Sequence, residues 1–162
     1  LHEYFNELYT KATGDWIVYF CDDHYIAAPG WDATIRNMVI REWNLDSAEP
    51  WIVVPKFDNT GAMNHVLSKG FCEALGGKLG NHGWIDSYIN ELSQEIGIDR
   101  YMRIDDEIFH DFTHDQPNQL DDSRTKVKLS KEGESLSEYN SGAYKEALRS
   151  DGERINKFLG RV

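Results

Sequence analysis

Near the start of the chain, apolar residues recur at the spacing of a helix face. Tyr4, Phe5, Leu8, Tyr9 and Ala12 carry the pattern, and Gly14 ends it. From residue 16 the period changes: WIVYFC at 16–21 is a continuous, β-prone apolar run. A run without alternation predicts a strand covered on both faces. We read it as a central strand of a mixed or largely parallel sheet, flanked by the helix of Leu8 and a second helix around Ile35. Pro29-Gly30 makes a turn into that second helix, whose face is Trp31, Ile35, Met38, Val39 and Trp43. Residues 51–54 (WIVV) form another buried strand, which Pro55 is expected to end.

The stretch from Gly61 to Gly83 reads as loop, rich in glycine (Gly70, Gly76, Gly77 and Gly80), around a short helix at 71–75. The clearest helix follows, with Ile85, Tyr88, Ile89, Leu92 and Ile96 on one face and Gly97 closing it. One or two short strands are expected at 101–109. Beyond Pro117 the composition turns charged; 121–133 reads as a surface segment and 136–159 as a final helix. Strands alternating with helices predict an α/β layer protein. We expect a single domain over 1–162, divided into a ligand-binding part (1–60), a second part (61–120) and a C-terminal helical extension (121–162).

Charge narrows the partners. With 28 acidic and 17 basic residues the net charge is -11, a field that repels phosphate backbones and argues against nucleic acid. A phosphorylated small ligand stays open, because a divalent cation held by carboxylates reverses the local sign. No apolar run approaches the roughly 20 residues of a membrane span, and no secretory leader is visible. Cys21 and Cys72 lack CxxC spacing, which predicts reduced thiols in a cytoplasmic protein. The chain opens at Leu1 inside a helix pattern, from which we expect a preceding segment.

The sharpest local feature is Asp22-Asp23, directly after the first apolar run. In α/β sheets ligands gather at the carboxyl ends of strands. Adjacent carboxylates there are hard oxygen ligands suited to Mg²⁺ or Mn²⁺ carrying a diphosphate, although such a pair also opens turns. The stretch KATGDWIVYFCDDH at 11–24, followed by Pro29-Gly30-Trp31-Asp32, resembles the central signature of family 2 glycosyltransferases of the GT-A type. There a helix ends in A-x-G-[DE], a strand rises, and a DxD-like motif closes it. This chain has Asp-Asp-His in place of Asp-x-Asp, so which of Asp22 and Asp23 touches metal, and whether His24 joins, stays open.

Two later stretches extend the resemblance. ALGG at 74–77 and NHGWIDSY at 81–88 are similar to the acceptor-side segment of those enzymes. The resemblance implies that Asp86 is the general base, with Ile85 where the family often has Glu. Trp84, two residues before it, is an aromatic beside a polar site that can stack on a sugar, although a Trp more often packs. The helical rotation of about 100° per residue takes Asp86 off the apolar stripe. IFHDFTH at 108–114 is similar to the late strand or loop whose histidine helps hold metal or diphosphate, implying His110 first and His114 second.

Together the resemblance implies a GT-A-like layered sheet with flanking helices, lacking most of the N-terminal nucleotide-binding half. It implies a nucleotide-sugar donor, a saccharide or other hydroxyl acceptor, a divalent cation (Mn²⁺ or Mg²⁺) at Asp22, Asp23 and His110, and inversion at the sugar carbon. An unpaired strand edge would favour self-association. Two rival readings remain. The i, i+4 spacing of His110 and His114 suits a His/Asp metal-dependent phosphohydrolase if that stretch is helical. A non-catalytic carbohydrate-binding or assembly domain is the other.

Overall fold

The structure, a computed structural model, describes residues 2–19, 24–26, 28–44, 46–56, 64–80, 85–97, 99–107, 109–111 and 141–162. Within these, α1 (His2–Lys11) leads into β1 (Trp16–Val18) and β2 (His24–Ile26). Next come α2 (Trp31–Met38), a π-helical turn (Val39–Trp43), β3 (Ile52–Lys56), β4 (Val66–Ser68) and α3 (Lys69–Ala74). The chain continues through α4 (Ile85–Ile96), β5 (Tyr101–Glu107) and β6 (Phe109–Asp111), and α5 (Gly142–Phe158) follows residues 112–140.

Four strands form a mixed sheet in the order β1-β4-β3-β5, and β2 pairs with β6 in a separate two-stranded ribbon. β4 is antiparallel to both neighbours, while β3 and β5 are parallel. It follows that β1, β3 and β5 all run the same way and share one carboxyl edge. The α/β class read from the sequence therefore holds, as a small mixed sheet with flanking helices.

Alternation along the strands sorts the core into two layers. Ile52, Val54 and Leu67 face α1, α3, α4 and α5, and pack with Phe71, Leu75, Tyr88, Ile89 and Leu92. Val53 and Val66 face α2 and pack with Ile35, Val39, Trp51 and Ile104. α5 is fastened to α4 by polar bonds inside this packing. The Tyr88 hydroxyl donates to Asp151 Oδ2 at 2.7 Å, and Tyr144 donates to Glu91 Oε1 at 2.9 Å. Asp151 is fully buried, and its second oxygen accepts from Arg154 at 3.0 Å, so its charge is not left unpaired.

Several expectations need correction. Among the described residues β1 is not central: it lies at the end of the sheet order, bonded to β4, and is half buried. Its apolar run does face both ways, since Ile17 and Tyr19 join one layer and Trp16 and Val18 the other. Pro55 does not end its strand. It pairs with Ile104 inside β3, and a register irregularity between Pro55 and Lys56 accommodates a residue that cannot donate to the ladder. The 61–83 stretch holds more than loop, because β4 and the fully buried Asn64 and His65 lie in it. The second helix loosens into a π turn that ends at Asn44, in the left-handed region with φ 51°. α5 starts at Gly142, where the Ser141 side chain caps it by accepting from Tyr144 N. The 121–133 segment lies outside the described residues.

Gly70 shows how tightly β4 and α3 are seated. Ser68 Oγ accepts from both Trp51 N and Phe71 N at 3.0 Å, which draws the start of α3 against the 46–50 turn. A Cβ on Gly70 would lie 2.2 Å from the Ala48 carbonyl oxygen, a backbone atom that cannot swing away. Gly70→Ala should therefore lower unfolding stability by about 1–3 kcal/mol, the usual scale for overpacking, read as a lower urea midpoint at unchanged slope.

Candidate functional site at the carboxyl edge of the sheet

The shared carboxyl edge of β1, β3 and β5 is where an α/β sheet collects ligands. Asp22 and Asp23 follow β1 and immediately precede β2; both lie outside the described residues, as do Cys21, Trp84 and His114. β2 pairs antiparallel with β6 in the register His24↔Asp111, Tyr25↔His110 and Ile26↔Phe109. β6 comes one residue after β5 ends. The backbone of His110 thus sits across from Tyr25, two positions beyond Asp23 in sequence. His110 lies in a strand, not a helix, and His114 is outside the described residues.

Asp86 is the second residue of α4. The far end of α4 turns at Gly97, φ 96°, and enters β5 within a few residues, with Arg100 N donating to Gly97 O at 3.1 Å. α4 therefore runs back along the sheet opposite to β5, and its N-terminus returns to the carboxyl edge. Ile85, Tyr88, Ile89, Leu92 and Ile96 are all fully buried, as their spacing predicts. The preceding loop is held from the side, since Asn6 of α1 donates to Gly80 O at 2.8 Å and accepts from Leu79 N at 2.9 Å. Of Asp86, His24 and His110 only the backbone is described. Among the described residues no three His, Cys, Asp or Glu side chains gather for a metal.

His65 was missed by sequence reasoning. It stands just before β4, and because β4 is antiparallel this is the carboxyl edge of its neighbours. Its carbonyl accepts from Tyr19 N at 3.1 Å, so the β1–β4 ladder continues one pair past Val18. The side chain is fully buried, and neither ring nitrogen has a hydrogen-bond partner among the described residues. The one signal in sequence is a histidine opening the short apolar step Val66-Leu67.

Burial lowers the His65 pKa from 6.5 to about 4, so the ring is neutral at pH 7. The folded protein then binds fewer protons than the unfolded chain between those two values. This contribution is fully present above about pH 6.5 and is lost as pH falls through about 4. At about 1.4 kcal/mol per unit the loss is on the order of 3 kcal/mol. Urea midpoints at pH 7 and 4.5 should therefore fall further apart in the wild type than in His65→Leu, which lacks the titrating group.

Two hollows border β1. One of about 460 Å³ lies under α2 and is lined by Trp16, Trp31, Asp32, Arg36, Asp46 and Trp51. The Arg36 guanidinium stacks 5.0 Å from the Trp16 ring there. The other, about 340 Å³, lies beside α1 between Phe5, Tyr9, Ile17 and Tyr19. The Cys72 thiol is buried, and burial followed by the neighbouring Glu73 pushes its pKa up to about 12, so it does not serve as a nucleophile. No described helix is long and apolar enough to cross a membrane. No protein-family model, curated protein or solved structure matches this chain.

Proposed function

We propose that this chain carries the transfer chemistry of a sugar-nucleotide-dependent glycosyltransferase of the GT-A type. What supports the reading is the β2–β6 register together with the connection from α4 into β5. The β2–β6 register brings the backbone of His110 across from the residues that follow Asp22-Asp23, and because α4 leads directly into β5 its first turn, with Asp86, is expected toward the carboxyl end of that strand. Two carboxylates and an imidazole suit Mn²⁺ or Mg²⁺ as a donor set, and Asp22, Asp23 and His110 would hold it. When bound, such a cation offsets the negative charge that develops on a departing nucleoside diphosphate.

The remaining chemistry belongs to the chain. The acceptor oxygen forms its bond to the anomeric carbon as the bond from that carbon to the diphosphate oxygen breaks, the leaving group taking the electron pair. The acceptor proton goes to the Asp86 carboxylate, and configuration at the sugar carbon inverts. Trp84, two residues before Asp86, offers an aromatic face for the sugar. The donor is a nucleotide sugar and the acceptor a saccharide or other hydroxyl compound, and the surplus of acidic residues disfavours nucleic acid.

The test uses the complete gene product with Mn²⁺ and a panel of UDP-glucose, UDP-galactose, UDP-N-acetylglucosamine and GDP-mannose, scoring release of nucleoside diphosphate with and without saccharide acceptors. Release that chelation abolishes supports the reading. No release from any donor overturns it. A second reading, binding of saccharide without catalysis, draws on the hollow under α2, where the half-buried Trp16 and Trp31 stand beside Asp32 and Arg36. Binding of oligosaccharide lost in Trp31→Ala, with no donor turnover, would favour it.

A further inference from the structure

We propose that the hollow under α2 is a second saccharide site that works alongside the transfer edge, holding units of an oligosaccharide acceptor other than the one that reacts. This rests on the glycosyltransferase reading above.

Three indoles build the hollow. Trp51 is fully buried, its Nε1 donates to the Asp46 carbonyl at 2.9 Å, and Trp16 stands edge-on to it with 5.2 Å between ring centroids. These contacts fix the floor, while Trp16 and Trp31 stay half-buried and line the hollow with apolar ring surface. At about 460 Å³ the space falls within the range of small-molecule sites. It is also long. Trp31 and Ile40 both line it, and the helical stretch between them covers about 14 Å at about 1.5 Å per residue, more than one sugar ring.

The charges say which ligand. Asp32 and Arg36 stand i, i+4 on α2, where opposite charges commonly pair, yet among the described residues neither makes an ion pair. The Arg36 guanidinium lies 5.0 Å from the Trp16 ring instead, which leaves its N–H donors unpaired beside an unpaired carboxylate. A cation would find the Trp16 face taken and Arg36 repelling it. An anion would face Asp15, Asp32 and Asp46. A neutral polyol meets neither obstacle. Its hydroxyls donate to the carboxylates and accept from the guanidinium, and its C–H face lies on indole.

Position separates this site from the transfer edge. α2 packs on the sheet face of Val53 and Val66, whereas α4 packs on the face of Ile52, Val54 and Leu67. A sugar in the hollow is therefore not the one whose hydroxyl would give its proton to Asp86. The lining follows β1 from Asp15 to Val18, and that strand leads on to Asp22-Asp23. An acceptor longer than the hollow thus continues toward the carboxyl edge.

In the complete gene product, calorimetric titration with cellohexaose, chitohexaose, maltohexaose and mannohexaose should find at least one hexasaccharide that binds. Its affinity should fall at least tenfold in Trp31→Ala and stay within about threefold in Trp31→Phe, which keeps a ring. Arg36→Leu changes an exposed side chain and should show the same loss with a melting temperature within about 4 °C of the wild type, the scale of one exposed cation–π contact. A folding defect in Trp31→Ala therefore does not decide the outcome. Saturating Mn²⁺ with UDP or GDP should leave the wild-type affinity within twofold, since the hollow lies apart from the edge. In the transfer assay Trp31→Ala and Arg36→Leu should each raise KM for the oligosaccharide acceptor at least tenfold and leave KM for the nucleotide sugar within twofold. An enzyme that transfers sugar but binds none of the hexasaccharides overturns this proposal and leaves the transferase reading intact. So does binding of choline or inorganic phosphate in the saccharide's place, or a nucleotide-sugar KM that rises along with the acceptor's. Oligosaccharide binding that Trp31→Ala abolishes, with no transfer by the wild type from any donor, overturns it in favour of binding without catalysis.

Discussion

Asp22→Ala and Asp23→Ala, each made in the complete gene product, are expected to reduce Mn²⁺-dependent sugar transfer by about 10²–10³-fold. The scale comes from what the carboxylates would do. A bound cation stabilises developing charge by several kcal/mol, and each 1.36 kcal/mol is a factor of ten in rate. Removing one hard ligand from a small donor set weakens cation binding and lets the diphosphate shift. The two variants need not fall equally, since the geometry that would rank Asp22 against Asp23 is not legible in an Asp-Asp-His motif. Initial rates across a Mn²⁺ titration separate the two causes of loss. A rate restored at high Mn²⁺ marks weakened binding, whereas a flat, low rate marks lost charge stabilisation. Full activity in both variants would remove the acidic pair from the mechanism. His110→Ala should show a smaller effect of the restorable kind, because an imidazole contributes a ligand but no charge.

The elements that could be read from the sequence are those whose own pattern is long enough to carry information. α4 presents its five apolar positions at helical spacing and ends at a glycine, and every one of the five is fully buried. The buried run at 51–54 likewise becomes β3 and its approach. The short strands were not readable in the same way. β2, β4 and β6 are three residues each, too short for a period of two to stand out, and they exist because partners distant in sequence pair with them. β1 was misplaced for a related reason. An apolar run says that both faces of a strand are covered, and here both are, but it says nothing of how many neighbours lie beside it in the sheet.

The same division applies to the site. Asp22-Asp23 and Asp86 could be named as candidates because local motifs announce them. His65 was invisible because nothing local distinguishes it from a solvated loop histidine. Its burial is a product of β4 pairing and of the layer packed over it, which exist only in the fold. The phosphohydrolase alternative asked for helix from His110 onward, and at 109–111 a strand paired with β2 stands there instead.

Asp86→Asn should lower kcat by about 10²–10⁴-fold, the usual scale for losing a general base, with KM for the nucleotide sugar nearly unchanged. Asparagine keeps the size and shape of the side chain but cannot take the acceptor proton. The backbone supplies the reason to expect separation of kcat from binding. Asp86 lies in the first turn of α4, and the buried residues Ile85, Tyr88, Ile89 and Leu92 hold that turn against the sheet regardless of what stands at position 86. The substitution should therefore leave the fold and the diphosphate end of the site as they are. A first-turn carboxylate also interacts favourably with the helix dipole, by about 0.3–1 kcal/mol, so a purely structural Asp86 would show itself as a small fall in melting temperature with kcat intact. Measuring both quantities on one preparation decides between the roles. The pH profile adds an independent reading. In the wild type, kcat should fall on the acid side as the carboxylate becomes protonated, and in Asp86→Asn that limb should flatten. A variant that keeps the acid limb and most of its kcat would leave the transfer reaction without its base, and the inverting mechanism would have to be given up.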